Sequence, residues 1–349
     1  MQMKTQSVVV AGAGGNTGSH LLPHLARMAN VAQIALIDPD LYEESNVAVQ
    51  NIDRQDIGKP KVEAQAEKLR KINPRLGVTA LQERIEDVPL GLMRCDLLVS
   101  CLDSRASRQF VNQIATRLNI QWIDCGVLGS QNLARVNTYT PGLDAPCLEC
   151  SWSPDDYAQI EQEYLCGAGS GAAFPTMASS ALGALAASLM ALEIAKLLFG
   201  ELTGSAATRQ VLIDAQNHIM RTTTSRRNPD CRFDHQAWDI QAWRRQPEST
   251  TVETALKELG SLQIEGHRFV HALICPGCQR QEQSLRLNRP LVRCPACGKR
   301  MVSAGFGSLE SLNMESARGY YDLTLAQIGL REGDIISSGS NEHWQMEAA

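Results

Sequence analysis

The stretch Val8–Ser19, which reads VVVAGAGGNTGS, determines our prediction of the fold. Its β-branched apolar run predicts a buried strand, its glycines a tight turn, and the polar residues after them the start of a helix. A second strand is predicted over Gln33–Ile37 and ends at Asp38 and Asp40. Strand, glycine turn, helix, strand and acid form the order of a mononucleotide-binding βαβ unit, whose helix N-terminus offers N–H groups to phosphate. The same glycine pattern also occurs in strand–helix turns that bind no ligand.

Composition indicates a globular protein of one large or two modest domains. The chain has 349 residues, of which 44% are hydrophobic and 20% charged. A formal net charge of −5 gives no reason to expect nucleic acid as a partner. The polar start Met1–Ser7 is unlike a signal peptide. The eleven cysteines include Cys-x-x-Cys pairs, which is typical of metal and thiol chemistry in a reducing compartment, so we predict a cytoplasmic protein.

One segment has the length of a membrane span. Ala178–Phe199 is almost wholly apolar, but it is rich in small residues and carries Glu193 and Lys196. Charges inside a span are costly, so we predict a buried core helix or a dimer-interface helix and no membrane association.

Several motifs come after the βαβ unit in a fixed order. They are Leu41–Asn46 (LYEESN), Gln50–Asn51, Gly58–Ala64 (GKPKVEA), Cys95–Arg105 (CDLLVSCLDSR), Cys147–Cys150 (CLEC) and Asn228–Cys231 (NPDC). Together they closely resemble the ThiF/MoeB and ubiquitin-activating-enzyme superfamily, and the resemblance covers about the first 235 residues. It implies an α/β fold: a doubly wound, Rossmann-like, mostly parallel sheet continued by antiparallel strands.

Adenylation of a carboxylate requires a held ATP, balanced phosphate charge and magnesium. Lys61 can act as a point charge on phosphate, and Asp103, after an apolar strand, can hold Mg²⁺. The ordinary alternatives are a solvated helix lysine and a strand-end cap. The resemblance implies that Asp38 and Asp40 lie near the ribose and the catalytic centre, and Asn46 and Gln50 near the phosphates. The residues predicted to bind ATP are Gly12, Gly14, Gly15, Asp38, Asp40, Asn46, Gln50, Lys61 and Asp103.

The chain departs from the superfamily pattern at one position. Where the family has an arginine before the glutamine, this chain has Val49 before Gln50. Arg54 lies shortly after and is our candidate to stabilise charge on the transferring phosphoryl group. The alternative is an arginine supplied by a second subunit.

Cys166 is the candidate nucleophile. It lies in a glycine-rich loop ahead of Phe174–Met177 and the apolar helix, where a cysteine can gain thiolate character. The resemblance implies that such a cysteine takes the acyl group from the adenylate as a thioester. The ordinary alternative is a small buried hydrophobe, which is how we interpret Cys95, Cys101 and Cys125.

Two groups of residues have the spacing of zinc ligands. Cys275 and Cys278 form one Cys-x-x-Cys pair and Cys294 and Cys297 another, which predicts a zinc ribbon rather than disulfides or free thiols.

The other group combines Cys147 and Cys150 with Cys231, for which the resemblance implies a zinc site. His235 is the expected fourth ligand because Cys-x-x-x-His spacing is acceptable, Asp234 is its rival, and a metal-free relic is the alternative.

We predict four parts along the chain: an adenylation domain (1–235), a helical connector (236–268), the zinc ribbon (269–303) and a tail (304–349). The connector contains a helix over Val252–Leu259. The tail contains a short helix from Tyr321, a strand at Gly333–Ile336 and a frayed end from Ser337. The segment Thr222–Arg227 is expected to be an exposed link.

The function implied by the resemblance is ATP-dependent adenylation of the C-terminal carboxylate of a ubiquitin-like β-grasp protein that ends in glycine. Thioester formation on Cys166 and transfer to a conjugating enzyme would come next. We expect a homodimer that uses ATP, Mg²⁺ and two Zn²⁺ sites. The alternatives are a MoeB/ThiF-type activator for sulphur transfer, a nicotinamide dehydrogenase, and a non-catalytic adaptor for a ubiquitin-like protein.

Overall fold

The computed structural model describes residues 5–165, 178–202, 208–289, 292–304, 307–339 and 342–347. The chain forms two compact units. The first unit comprises residues 1–86 and 94–237, and the second comprises residues 87–93 and 238–349.

The first unit is built on an eight-stranded sheet with the strand order β3-β2-β1-β4-β5-β6-β7-β8. Strands β1 to β5 are mutually parallel, and β6, β7 and β8 extend the sheet in antiparallel fashion. This arrangement confirms the predicted fold class. The elements are β1 (Gln6–Ala11), α1 (Asn16–Leu25), β2 (Val31–Ile37), α2 (Lys61–Ile72), β3 (Gly77–Leu81), β4 (Leu97–Ser100), α3 (Arg105–Arg117), β5 (Gln121–Leu128), β6 (Leu133–Tyr139), α4 (Pro154–Leu165), α5 (Ser180–Leu198), β7 (Arg209–Asp214) and β8 (Ile219–Thr224).

The strand order places a crevice beside the glycine turn. Strands β2 and β3 lie on one side of β1, and β4 and β5 lie on the other, so the order reverses next to β1. Ala11 at the end of β1 pairs with Ser100 at the end of β4. In sheets of this kind, ligands bind outside the carboxyl ends of the strands at such a reversal point.

Helix α5 is the core helix of the first unit. It packs against α1 and against β5 and β6. Its length and composition alone would allow it to cross a membrane, but 56% of its most apolar window is buried inside the protein. A Cβ on Gly183 would lie 1.9 Å from Oδ1 of Asn16, so a glycine is required where α5 meets the start of α1. The predicted core helix is confirmed.

The segment predicted as an exposed link is partly a strand. Thr222–Thr224 end β8, which pairs with β7 along its whole length. All residues of β8 are exposed, which explains why its sequence resembles a loop.

The second unit contains a five-stranded sheet, a small sheet and one helix among its described residues. The larger sheet has the order β15-β10-β16-β17-β9, with β9 and β17 parallel. In the smaller sheet, β11 pairs with β12, β13 and β14. The elements are β9 (Ile240–Trp243), α6 (Val252–Leu259), β10 (Leu262–Ile264), β11 (Phe269–Ile274), β12 (Gln281–Leu287), β13 (Val302–Ser303), β14 (Ser308–Leu309), β15 (Ser311–Leu312), β16 (Ile335–Ser337) and β17 (His343–Met346).

Two predictions about the tail are wrong. The segment from Tyr321 forms turns rather than a helix, because Thr324 and Gln327 bond each other's backbone N–H groups and Gly329 takes a positive φ of 93°. The end predicted to fray contains β17, which lies between β16 and β9. Met346 at the end of that strand is fully buried, and this burial holds the polar segment in the sheet.

Candidate nucleotide site and metal centres

The glycine turn after β1 fits closely between two other elements. Gly12 has a φ of 74°, and a Cβ there would lie 2.5 Å from the carbonyl oxygen of Cys101. A Cβ on Gly14 would lie 2.3 Å from the Cβ of Lys61. The turn therefore touches both the end of β4 and the start of α2, and side chains at these two positions would separate them.

The backbone N–H groups of residues 12–15 bond inward. Those of residues 12 and 13 donate to the carbonyl of Ile37, that of Gly14 to Asp38, and that of residue 15 to the carbonyl of residue 12. The N–H groups of Asn16–Gly18 have no backbone partner in the described parts of the chain. The donors available to a phosphate are thus those of the first turn of α1, rather than those of the glycines themselves.

A buried acid and a buried lysine lie directly under this turn. Asp38 is 4% exposed and accepts hydrogen bonds from the N–H groups of Gly14 (2.9 Å) and Asp40 (3.1 Å). Burial raises the pKa of Asp38, while the nearby charge of Lys61 opposes that rise. Lys61 is itself 7% exposed, and its Nζ lies 3.1 Å from Oδ2 of Asp40. Lys61 is therefore not a solvated helix lysine.

Two further side chains support the turn and were not singled out from the sequence. The hydroxyl of Tyr42 donates to the carbonyl of Gly14 at 3.2 Å, and Nε2 of Gln65 donates to that hydroxyl at 2.8 Å. Both side chains are almost fully buried. Tyr42 could have been identified by its position in the LYEESN motif, and Gln65 by its position one helical turn after Lys61.

Asp103 comes after β4 at the same edge of the sheet. Its side chain is exposed, and within the described residues it makes no hydrogen bond or ion pair. Ser104 caps α3 instead, accepting a hydrogen bond from the N–H of Ser107 at 3.0 Å. Asp103 is therefore not a helix cap, and its carboxylate is available to a cation.

The other residues predicted to bind ATP lie in the segment between β2 and α2. Asn46 uses Oδ1 to accept the N–H of Glu43 at 2.9 Å. Gln50 is half-buried, and its buried Oε1 has no hydrogen-bond partner among the described residues. Arg54 lies in an exposed turn, with its NH1 2.6 Å from Oε1 of Glu44. The structure thus pairs Arg54 with Glu44 rather than with the glycine turn.

Four residues of the first unit form a cluster with the dimensions of a zinc site. Sγ of Cys147 lies 3.9 Å from Sγ of both Cys150 and Cys231. Nε2 of His235 lies 3.6 Å from Sγ of Cys150 and 3.5 Å from Sγ of Cys231. A tetrahedral zinc with bonds of about 2.3 Å separates its sulphur ligands by about 3.8 Å, so the cluster fits this ion.

The structure also distinguishes His235 from its rival. Asp234 points to Arg117, with Oδ1 and NH1 2.5 Å apart. Burial lowers the pKa of His235, which favours the neutral imidazole that a metal needs. The hydrogen bond between Cys147 and Cys150 lowers the pKa of Cys150 and raises the pKa of Cys147, so it favours a thiolate on one member of the pair.

This first centre is joined to α3 by a buried carboxylate. Glu149, between the cysteines of the CLEC motif, is 2% exposed. It accepts hydrogen bonds from the side-chain amides of Gln109 (2.8 Å), Asn112 (3.1 Å) and Gln113 (3.1 Å). Oδ1 of Asn112 in turn accepts the N–H of Leu148 at 2.9 Å. The metal-binding turn is thereby held on the helix that begins just after Asp103.

The second unit contains the other cluster, formed by the two Cys-x-x-Cys turns. Sγ of Cys275 lies 3.3 Å from Sγ of Cys297, and Sγ of Cys278 lies 3.5 Å from Sγ of Cys294. These distances are far too long for disulfides, and all four sulphurs lie within 4.8 Å of one another. The N–H of Cys278 lowers the pKa of Cys275 to about 6. The cluster can hold a tetrahedral metal as a zinc ribbon does.

Three further cysteines, Cys95, Cys101 and Cys125, lie among the described residues. Burial raises the pKa of Cys95 and of Cys125 to about 12, and that of Cys101 well above its ordinary value. Such thiols are inert, as expected of core residues. Cys166, the predicted nucleophile, lies outside the described residues.

Comparison with known proteins identifies relatives of the first unit. Over 227 residues the chain is 30% identical to the sulfur carrier protein ThiS adenylyltransferase of Escherichia coli, covering 64% of this chain and 84% of that protein. It is 26% identical to the molybdopterin-synthase adenylyltransferase of E. coli over 232 residues, covering 66% and 87%. It is 30% identical to the adenylyltransferase and sulfurtransferase UBA4 of Yarrowia lipolytica over 154 residues, covering 43% of this chain but only 37% of that protein.

Solved structures share the fold. The crystal structure of E. coli MccB with ATP superimposes with a TM-score of 0.54 at 24% sequence identity, covering 66% of each chain. At that identity the similarity is one of fold. The profile of the ThiF family matches residues 1–233, which make up most of the first unit. The chain therefore belongs to the ThiF family.

Proposed function

We propose that the first unit transfers the adenylyl group of ATP to the C-terminal carboxylate of a small protein. Its relatives include adenylyltransferases named for the sulfur carrier protein ThiS and for molybdopterin synthase. The proposal rests on one observation in particular. A buried lysine and two acids meet at the glycine turn beside the strand-order reversal, and the exposed carboxylate of Asp103 follows β4, whose end the turn touches.

Each of these groups has a distinct role in the proposed reaction. A carboxylate oxygen of the protein substrate attacks the α-phosphorus, an acyl-adenylate forms, and pyrophosphate leaves. The first-turn N–H groups of α1 and the ammonium of Lys61 stabilise phosphate charge. Asp103 would hold Mg²⁺, which prefers one or two carboxylates together with phosphate oxygens. Asp38 fixes the shape of the turn by accepting the N–H of Gly14.

Two candidates can replace the arginine that the family pattern has at the position of Val49. Arg54 would have to leave Glu44 to reach a phosphate, at the cost of an exposed ion pair that contributes little. The alternative proposal is an arginine from a second copy of the chain in a homodimer. An Arg54→Gln variant tests Arg54, because a large loss of activity would assign the role to Arg54 of one copy or the other, and full activity would assign it to a different arginine.

Exchange of radioactive pyrophosphate into ATP tests the proposed reaction. The assay uses the full chain with small β-grasp proteins from the same genome that end in glycine. We expect exchange only with such a partner and expect Lys61→Met to lower its rate about a hundredfold, the usual effect of removing one transition-state donor. Lys71→Met, an exposed lysine on the same helix, is the matched control and should retain the rate. Binding of NAD with exclusion of ATP would overturn the proposal.

The fate of the adenylate separates two routes. In the first, the thiolate of Cys166 attacks the acyl carbon, a thioester forms and AMP leaves, ready for a conjugating enzyme. In the second, sulphide attacks the acyl carbon, a thiocarboxylate forms and AMP leaves, in line with the sulfur-carrier and sulfurtransferase names of relatives. A Cys166→Ala variant that retains exchange but loses a thiol-sensitive adduct would support the first route. Normal sulphur transfer by the same variant would support the second.

A further inference from the structure

The second unit has a basic groove beside its cysteine cluster. The groove has a volume of about 510 Å³. One wall is formed by β12 and the Cys294 turn, and the other by the turns around residues 326–331. Its walls carry four arginines and one acidic residue, Glu282. A groove of this size accepts a short segment of chain rather than a folded domain.

One of these arginines is already neutralised. Arg289 is 7% exposed, and its NH1 lies 2.7 Å from Oδ2 of Asp334 and 3.0 Å from the carbonyl oxygen of Gly329. Asp334 is almost fully buried, so this ion pair is a structural one. The charge available to a ligand therefore comes from the other three arginines.

Two wall arginines are not held by short ion pairs. Arg286 forms a long ion pair with Glu282, in which NH2 and Oε1 are 3.8 Å apart, and its Nε donates to the hydroxyl of Ser284 at 3.3 Å. Both side chains of this pair are about one third exposed, so the pair contributes little and a carboxylate of a ligand can compete for the guanidinium. Arg293 is exposed and donates only to the carbonyl of Gly298, at 3.2 Å, without an ion pair among the described residues of the unit. Guanidinium forks of this kind match carboxylates in bidentate geometry.

The rest of the lining is aliphatic. Leu287, Val292, Pro295, Ala326 and Leu330 supply the apolar surface, and the described lining contains no aromatic residue. Bases of single-stranded nucleic acid need aromatic platforms on which to stack, so this lining does not favour them. The formal net charge of −5 also opposes a long polyanion. Arginines above an aliphatic floor match a segment that carries both acidic and aliphatic side chains.

We propose that this groove binds a short acidic segment of a partner protein, with carboxylates on Arg286 and Arg293 and aliphatic side chains on the floor. The surface lies outside residues 1–233, which carry the family match, so it is independent of the adenylation proposal. It gives the second unit the role of recruiting a partner.

Fluorescence anisotropy with the full chain tests the proposal. The probe is a labelled peptide of alternating glutamate and leucine, and its counterpart has glutamine in place of glutamate. We expect saturable binding of the acidic peptide, weakened by salt, with no comparable binding of the glutamine peptide. The double variant Arg286→Glu/Arg293→Glu should raise the dissociation constant at least tenfold.

The matched control is Arg244→Glu/Arg318→Glu, which makes the same change of charge at two exposed arginines of the same unit that do not line the groove. The control should leave the dissociation constant within a factor of about two. Arg286→Gln/Arg293→Gln, with metal content verified, serves if the charge reversals fail to fold. Equal loss in both double variants, equal binding of the glutamine peptide, or tighter binding of oligothymidine at these arginines would overturn the proposal.

Discussion

The two cysteine clusters have similar ligand spacing but differ in what holds them in place. In the first unit, Glu149 ties the CLEC turn to α3 through three amides. In the second, Cys278 and Cys297 are exposed. The apolar cluster around that centre is small: Val270, Leu273, Cys275, Cys294, Met301 and the partly buried Val292. Protein contacts therefore hold the first centre in place even without metal. The turns of the second centre depend more on the metal itself.

Removal of metal should produce the largest difference between the two centres. Structural zinc contributes on the order of 10 kcal/mol to zinc-finger peptides. We expect a chelator to take metal first from the centre with exposed thiolates and to abolish hydrogen-exchange protection at the ends of β11 and β12 beside it. Phe269, Leu285 and Leu287, toward the other ends of these strands, belong to the large hydrophobic cluster of the second unit and should stay protected. The strands β1 and β4 should remain protected, because they lie in the core of the first unit.

Metal release to a chromogenic chelator should have a fast phase from the second unit's centre and a slow phase from the first unit's centre. Cys275→Ser should remove the fast phase and leave the slow one, and Cys231→Ser should do the opposite. If Cys275→Ser removed the slow phase, the contrast between the centres would be reversed. Metal content by mass spectrometry provides the check that each variant has lost one ion and not two.

Glu149 offers the second test. Glu149→Ala leaves the buried amide of Asn112 and the half-buried amides of Gln109 and Gln113 without their carboxylate, which should cost about 3 kcal/mol. The matched control is Glu282→Ala, at a half-exposed glutamate of β12 in the second unit, which should change stability by less than about 0.5 kcal/mol.

Hydrogen exchange measured segment by segment reports the two units separately, which a single melting curve does not. We expect faster exchange in α3 for Glu149→Ala and unchanged exchange in β11 for Glu282→Ala. Equal and small effects would show that Glu149 does not anchor the first centre. Unaltered metal content in Glu149→Ala would show that the loss arises from the helix contact rather than from the ion.

Sequence alone could predict much of this molecule where the signal is local. The β-branched run, the glycines and Asp38 fall within one βαβ unit, and paired cysteines predict metal turns. The sequence favours His235 over Asp234 as the fourth ligand on spacing alone, which is a weak criterion because adjacent residues have almost the same spacing from Cys231, and the structure places His235 in the cluster. His235 reaches the cluster with a φ of 60°, while Asp234 turns to Arg117 on a distant helix.

Long-range contacts account for the other failures. Glu149 resembles an ordinary surface glutamate until the amides of α3 are placed beside it. The strand β17 has a polar sequence, and its burial depends on β9, about a hundred residues earlier in the chain. In each case the deciding partner is remote.

The smallest expected effect is a change in metal affinity caused by the two turns of the second centre. The residue after each turn's last cysteine takes a left-handed conformation: Gly298 with a φ of 70° and Gln279 with a φ of 60°. That conformation costs a residue with a side chain about 1 kcal/mol, and glycine adopts it freely. Gln279→Gly should therefore strengthen metal binding at this centre about fivefold, and Gly298→Ala should weaken it to a similar extent.

Competition with a chelator of known affinity measures both changes in affinity, and the release rate from the first centre should not change in either variant. A weaker site in Gln279→Gly would mean that the side chain of Gln279, whose Nε2 lies 3.5 Å from the carbonyl oxygen of Pro276, contributes more than its backbone conformation costs.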